Sequence, residues 1–168
     1  PGNINVFIGA NGSGKSSVLE AIGVLSAAMT DRVNNNSLHR KGVRLSTSAL
    51  YKSQFAAIER SMPTIDFELN WELDANQYEY SVHLTTPSDN DTWKYHSERV
   101  CKNSEIVFGR SNRTSVQMNN KVGYYSLSEK LNGEEYTRMS DYISEYGIYQ
   151  PDTLTLRGNA ADPTQITP

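Results

Sequence analysis

The chain has 168 residues, 37% hydrophobic and 21% charged, with a formal net charge of −3 at pH 7. That length suits one domain with a real core rather than two, and no apolar run is long enough to cross a membrane as a helix. The single cysteine, Cys101, excludes an internal disulfide and fits a reducing, cytoplasmic setting.

In chain order, Pro1-Gly2 runs straight into Asn3-Ile4-Asn5-Val6-Phe7-Ile8, a short β-branched segment expected to be a buried strand. No signal or transit peptide pattern stands at the start and there is no initiator Met, so the chain reads as a fragment lacking at least one N-terminal strand. Residues 9–17, GANGSGKSS, carry no bulky side chain. From Ser16 the apolar positions Val18, Ile22, Leu25 and Met29 recur at helical steps, with Ala21 and Ala28 beside them, which predicts a helix with one apolar stripe. Asn34-Asn35-Asn36-Ser37 breaks that helix, and a basic loop with His39, Arg40, Lys41 and Arg44 follows. Tyr51, Phe55, Ile58 and Met62 predict a second helix ending before Pro63.

Beyond Pro63 the period becomes two. Ile65, Phe67, Leu69, Trp71 and Leu73 alternate with polar residues, and after the turn Asp74-Ala75-Asn76-Gln77 so do Tyr78, Tyr80, Val82 and Leu84. That is an antiparallel hairpin with one wet face. Trp93 to Val100 and a hairpin around Gly109-Arg110-Ser111-Asn112 extend the meander. Tyr136, Met139, Ile143 and Tyr146 mark a last helix ended by Gly147, before a strand-like Ile148-Tyr149, then Gln150-Pro151, and a polar tail. The reading divides the chain into 1–32 (strand, loop, helix), 33–63 (basic loop and helix), 64–127 (antiparallel β-subdomain) and 128–168 (helix and return strand).

Gly9-Ala10-Asn11-Gly12-Ser13-Gly14-Lys15-Ser16 has the spacing G-x-x-x-x-G-K-[ST], the Walker A pattern, between an expected strand and a helix. The chemistry explains the fixed positions. Phosphates must approach the backbone closely, so Gly9, Gly12 and Gly14 remove Cβ atoms and permit positive φ. Consecutive N–H groups then form an anion nest at the positive end of the helix. Lys15 is the catalytic candidate, a compact charge for the β- and γ-phosphates. The candidate nucleotide-binding set is Gly9, Asn11, Gly12, Ser13, Gly14, Lys15, Ser16 and Ser17, and Ser16 is the candidate Mg²⁺ ligand. ATP and Mg²⁺ are the expected cofactors. The competing reading is a Gly/Ser linker joining strand to helix.

Guanine specificity is excluded: Asn120-Lys121-Val122-Gly123 lacks the aspartate of N-K-x-D, and no D-x-x-G occurs. A small-molecule kinase would continue with parallel strand–helix units, whereas a long antiparallel meander follows here. The string Gly9 to Ile22, GANGSGKSSVLEAI, resembles the Walker A segment of SMC/RecF/OLD-type ATPases, the ABC-like branch of P-loop proteins. The segment Ile148-Tyr149-Gln150-Pro151-Asp152 with Leu156-Arg157-Gly158 resembles one in stand-alone RecF-like ATPases of DNA repair and phage defence. The resemblance implies an α/β P-loop NTPase, the N-terminal lobe of an ABC-type ATPase head, with an antiparallel β-meander after the P-loop helix and an incomplete domain. It implies ATP held between two heads in a head-to-head dimer, a nuclease partner or domain, and coupling to DNA processing or antiphage defence. The chain departs from that family in having no LSGG-like signature and no apolar run ending in Asp-Glu. On this reading the chain binds nucleotide but does not turn it over alone. Two alternatives stay open, a non-catalytic regulatory nucleotide-binding module and a P-loop kinase.

The resemblance also makes Gln150 a candidate Q-loop residue touching Mg²⁺ near Ser16, against the reading of a surface glutamine before Pro151. Residues 1–63 hold seven Lys/Arg against three Asp/Glu. Within this basic half Arg40, Lys41 and Arg44 are candidate contacts to DNA phosphates, against a solvated loop. His39, His83 and His96 lack partners at metal-ligand spacing, and the ten tyrosines read as packing residues.

Overall fold

The computed structural model describes residues 4–46, 64–86, 92–111, 119–123, 125 and 131–149. Lys15–Thr30 forms helix α1, a segment rich in Ala and Leu and free of proline. Its burial divides by halves rather than by a stripe. Gly23 through Met29 are all buried, whereas Val18 is 44% exposed. The first turns of α1 therefore stand clear of the core and carry the glycine loop.

The strand expected at residues 3–8 is not formed by the described part of that segment. Residues 4–10 have no regular secondary structure, and Ile4, Val6 and Ile8 are exposed. A strand exists by pairing its N–H and C=O groups with a neighbour, and the one described sheet is built from other residues. The asparagine run does end α1, but it then starts a new helix. Asn34 caps α2, Asn35–Arg40, by accepting from the Ser37 N–H, while the Ser37 hydroxyl accepts from the Asn34 N–H. This reciprocal capping box places His39 and Arg40 in the last turn of a helix, not in a loop. The helix expected over Tyr51–Met62 lies outside the described residues.

The meander is a four-stranded antiparallel sheet in the order β1 (Thr64–Leu73), β2 (Asn76–Thr85), β3 (Lys94–Lys102) and β4 (Glu105–Arg110). Leu73 pairs with Asn76, so the first turn is only Asp74-Ala75, both at positive φ (50° and 61°). The second described tight turn is Asn103-Ser104; of the turn expected at Gly109–Asn112, Asn112 lies outside the described residues. Gly109 and Arg110 are paired strand residues opposite Arg99 and Glu98. Asn103 fixes both turns by exchanging hydrogen bonds with Gln77 and donating to the Asn76 side chain at 2.8 Å.

The inward face of the sheet presents Tyr78, Tyr80, Val82, Leu84, Tyr95 and Val100, all buried, beneath α1. The sheet tyrosines pack, whereas Tyr142 and Tyr149 are exposed and Tyr51 and Tyr124 lie outside the described residues. Tyr80 and Tyr125 meet edge-on at 5.3 Å, and Trp71 stacks on its cross-strand partner Tyr78 at 5.2 Å. A buried ion pair lies in the same layer. Arg110 Nε donates to Glu98 Oε2 at 2.9 Å with both side chains wholly buried, and the Tyr80 hydroxyl donates to Glu98 Oε1 at 3.0 Å. Burial pushes the Tyr80 hydroxyl well above its ordinary range, with Glu98 adding to it, so it stays a proton donor.

Helix α3, Glu134–Ser144, closes the other side of α1. The Ser26 hydroxyl donates to Ile143 O at 2.7 Å, and the Tyr146 hydroxyl to Leu19 O at 2.9 Å. Ile148-Tyr149 is not a strand. The Ile148 N–H bonds Lys41 O at 2.9 Å, beside Gly42 at φ +73°, where a side chain would meet the Ile148 carbonyl.

Candidate nucleotide-binding site

The site is the loop that feeds α1. Gly12 and Gly14 sit at φ +81° and +88° with open space where a Cβ would be, so conformation alone demands glycine there. Gly9 is constrained differently: a Cβ on it would lie 2.6 Å from Ser13 Oγ. The turn closes through the Ser13 N–H on Ala10 O at 3.2 Å.

Gly14 is the N-cap of α1 and provides no side chain to accept from the first turn. The first intrahelical bond runs from the Val18 N–H to Gly14 O at 3.1 Å. The N–H groups of Lys15, Ser16 and Ser17 therefore have no helix partner and gather at the positive end of a 16-residue helix. The Lys15 ammonium curls back over the loop, donating to Gly9 O at 2.8 Å, Ala10 O at 2.7 Å and Ser13 Oγ at 3.4 Å. No carboxylate holds it among these contacts. The charge is thus placed over the nest by neutral oxygens that a phosphate can outcompete. Ser16 and Ser17 are exposed beside it, and Asn11 is exposed at the loop tip.

Tests of fit are favourable. Gly12 and Gly14 leave clear the volume that Cβ atoms would occupy, the free amides converge at one helix end, and the ammonium is local. Gly9, Asn11, Gly12, Ser13, Gly14, Lys15, Ser16 and Ser17 thus stand together in one short loop and first turn. Gln150 lies outside the described residues, so its distance to Ser16 is not part of this geometry.

The basic candidates separate. Arg44 forms a two-pronged contact with Glu20, Nε to Oε1 and Nη2 to Oε2 at 3.2 Å. Glu20 lies one turn beyond Ser16 on the same face of α1, so this pair flanks the loop. Sequence reasoning named Arg44 but missed its partner; the spacing of four between Ser16 and Glu20 was the available signal. Arg40 and Lys41 lie toward the other end of α1, around a separate cavity. Among the described residues no helix is long and apolar enough to cross a membrane.

The chain matches no curated protein and no solved structure. A family model described as "AAA domain, putative AbiEii toxin, Type IV TA system" matches residues 4–122, well over half of the chain and including the glycine loop, α1 and the whole sheet. The chain belongs to that family of P-loop, ATPase-like AAA domains.

Proposed function

We propose that the chain is the ATP-binding lobe of an ABC-type ATPase of the SMC/RecF/OLD kind. The observation that carries this reading is the glycine loop: two glycines at positive φ, free amides at the start of α1, and the Lys15 ammonium over the loop. The N–H groups of residues 12–17 would hold the phosphates, Lys15 would neutralise the β/γ end, and Ser16 would ligate Mg²⁺, with Gln150 a second contact to the ion. Mg²⁺ held there by Ser16 would offset the negative charge of the phosphates. The antiparallel sheet following α1, where a kinase would place further parallel units, supports the ABC-type assignment.

In this reading hydrolysis needs a signature motif and a catalytic carboxylate beyond these 168 residues, with ATP shared between two heads of a dimer. The resemblance supports coupling to DNA processing or phage defence through a nuclease partner or domain, and the family description supports a toxin–antitoxin setting.

The test is equilibrium titration with a fluorescent ATP analogue. Lys15→Ala removes the charge facing the β/γ-phosphates and is expected to weaken binding by about tenfold or more, each factor of ten being about 1.4 kcal/mol. Equal affinity of variant and parent would sink the assignment.

A further inference from the structure

At the end of α1 opposite the glycine loop, about 20 Å away along the helix, lies an open cavity of about 320 Å³ whose rim carries several charged residues. Its lining includes Thr30, Asp31, Arg32, Arg40, Lys41 and Ser144. The C-termini of all three described helices meet here, and such ends attract cations, so the basic residues must first be tested as caps. Several of those carbonyls are already served by other groups. Ala27 O accepts from the Asp31 N–H and Ala28 O from the Tyr95 hydroxyl at 2.9 Å. Ser37 O and His39 O accept from the N–H groups of Lys41 and Gly42, and Ile143 O from the Tyr146 N–H and the Ser26 hydroxyl.

One carbonyl of this set, Ser144 O, is bound by a cation, the Lys41 ammonium. Arg32 pairs with Asp31 at 3.1 Å. Arg40, which lines the same cavity, makes no hydrogen bond or ion pair among the described residues. Among the described lining residues three cations therefore stand beside a single carboxylate, Asp31, which pairs with Arg32. Burial, and then the neighbouring Arg40 charge, hold the Lys41 ammonium below the usual lysine range.

We propose that this cavity is a second anion site, binding a phosphate group through Arg40 and Lys41, with Arg32 at its rim. The guanidinium of Arg40 offers two parallel N–H donors to two phosphate oxygens, and Lys41 retains donors beyond the one spent on Ser144. The volume exceeds that of a bare phosphate, so a phosphoester fits: either a small phosphorylated compound or a nucleic-acid backbone phosphate.

The test uses inorganic phosphate titrated calorimetrically into Lys15→Ala and into Lys15→Ala/Arg40→Glu, so that the glycine loop does not contribute. The first protein is expected to bind about one phosphate per chain, and the second at least tenfold more weakly. Arg40→Gln in the same background, which adds no negative charge, is expected to fall between them, with circular dichroism confirming the fold of each. No phosphate binding to Lys15→Ala, or equal binding to all three, would overturn the proposal without touching the ATP reading. Displacement of the phosphate by a single-stranded DNA oligonucleotide would assign the site to nucleic-acid backbone. Failure of the oligonucleotide to displace it would assign the site to a small phosphate compound.

Discussion

Lys15 and Glu98 show two opposite treatments of a charge. Lys15 is only partly buried and is held by two backbone carbonyls and a hydroxyl, partners that cost little to leave. Glu98 is wholly buried and satisfied by Arg110 and Tyr80, partners that cannot be replaced by water. The first charge is placed for exchange and the second for structure. Removing one member of a buried pair strands the other, a loss of about 3–5 kcal/mol, whereas replacing both with apolar groups of like size is often neutral. Glu98→Ala should therefore lower stability in urea unfolding by about 3–5 kcal/mol, and Glu98→Met/Arg110→Met should recover most of that loss. A single variant within about 0.5 kcal/mol of the parent would show that the pair is not structural.

Among the elements, the first hairpin stores strain at its tip. Asp74 and Ala75 both take positive φ, 50° and 61°, in a two-residue turn where Asn-Gly is preferred. An alanine there costs on the order of 1 kcal/mol, partly offset by the freedom glycine gains in the unfolded chain. Ala75→Gly is thus expected to raise the melting temperature by a few degrees; a lower one would mean that the turn is not strained. The same residues show what was legible. Alternation from Ile65 to Leu84 revealed the hairpin and its wet face because burial on one side imposes period two. Its exact turn was not legible, because Asp-Ala carries no glycine, and Asn103-Ser104 hid the second turn while Gly109 drew it elsewhere. Val18 to Met29 predicted α1, but not burial by halves, which depends on what Ser26, Gly23 and Ala28 meet. Ile4 to Ile8 has the composition of a strand but is not part of the described sheet, and strand pairing is not written in a single segment.

For the whole molecule, α1 joins two regions of different character. Its C-terminal half is fixed by Tyr95 on one side and Ile143 on the other, and its exposed first turn presents the glycine loop. The glycine loop was the most legible local feature of the sequence, since its proposed function depends on absent side chains and contiguous amides rather than on long-range packing. Gly9, Gly12, Gly14, Lys15 and Ser16 could be named from spacing alone, while the cavity at Arg40 and Lys41 needed three helices to be placed. The central claim is that backbone amides of residues 12–17 hold a nucleotide's phosphates. Its most direct test is amide-resolved NMR of the ¹⁵N-labelled protein titrated with MgATP. The account predicts the largest shifts at Gly12, Gly14, Lys15, Ser16 and Ser17, small ones across β1–β4, and loss of the response in Lys15→Ala. Unmoved amides at those five residues, or an unchanged response in Lys15→Ala, would contradict it.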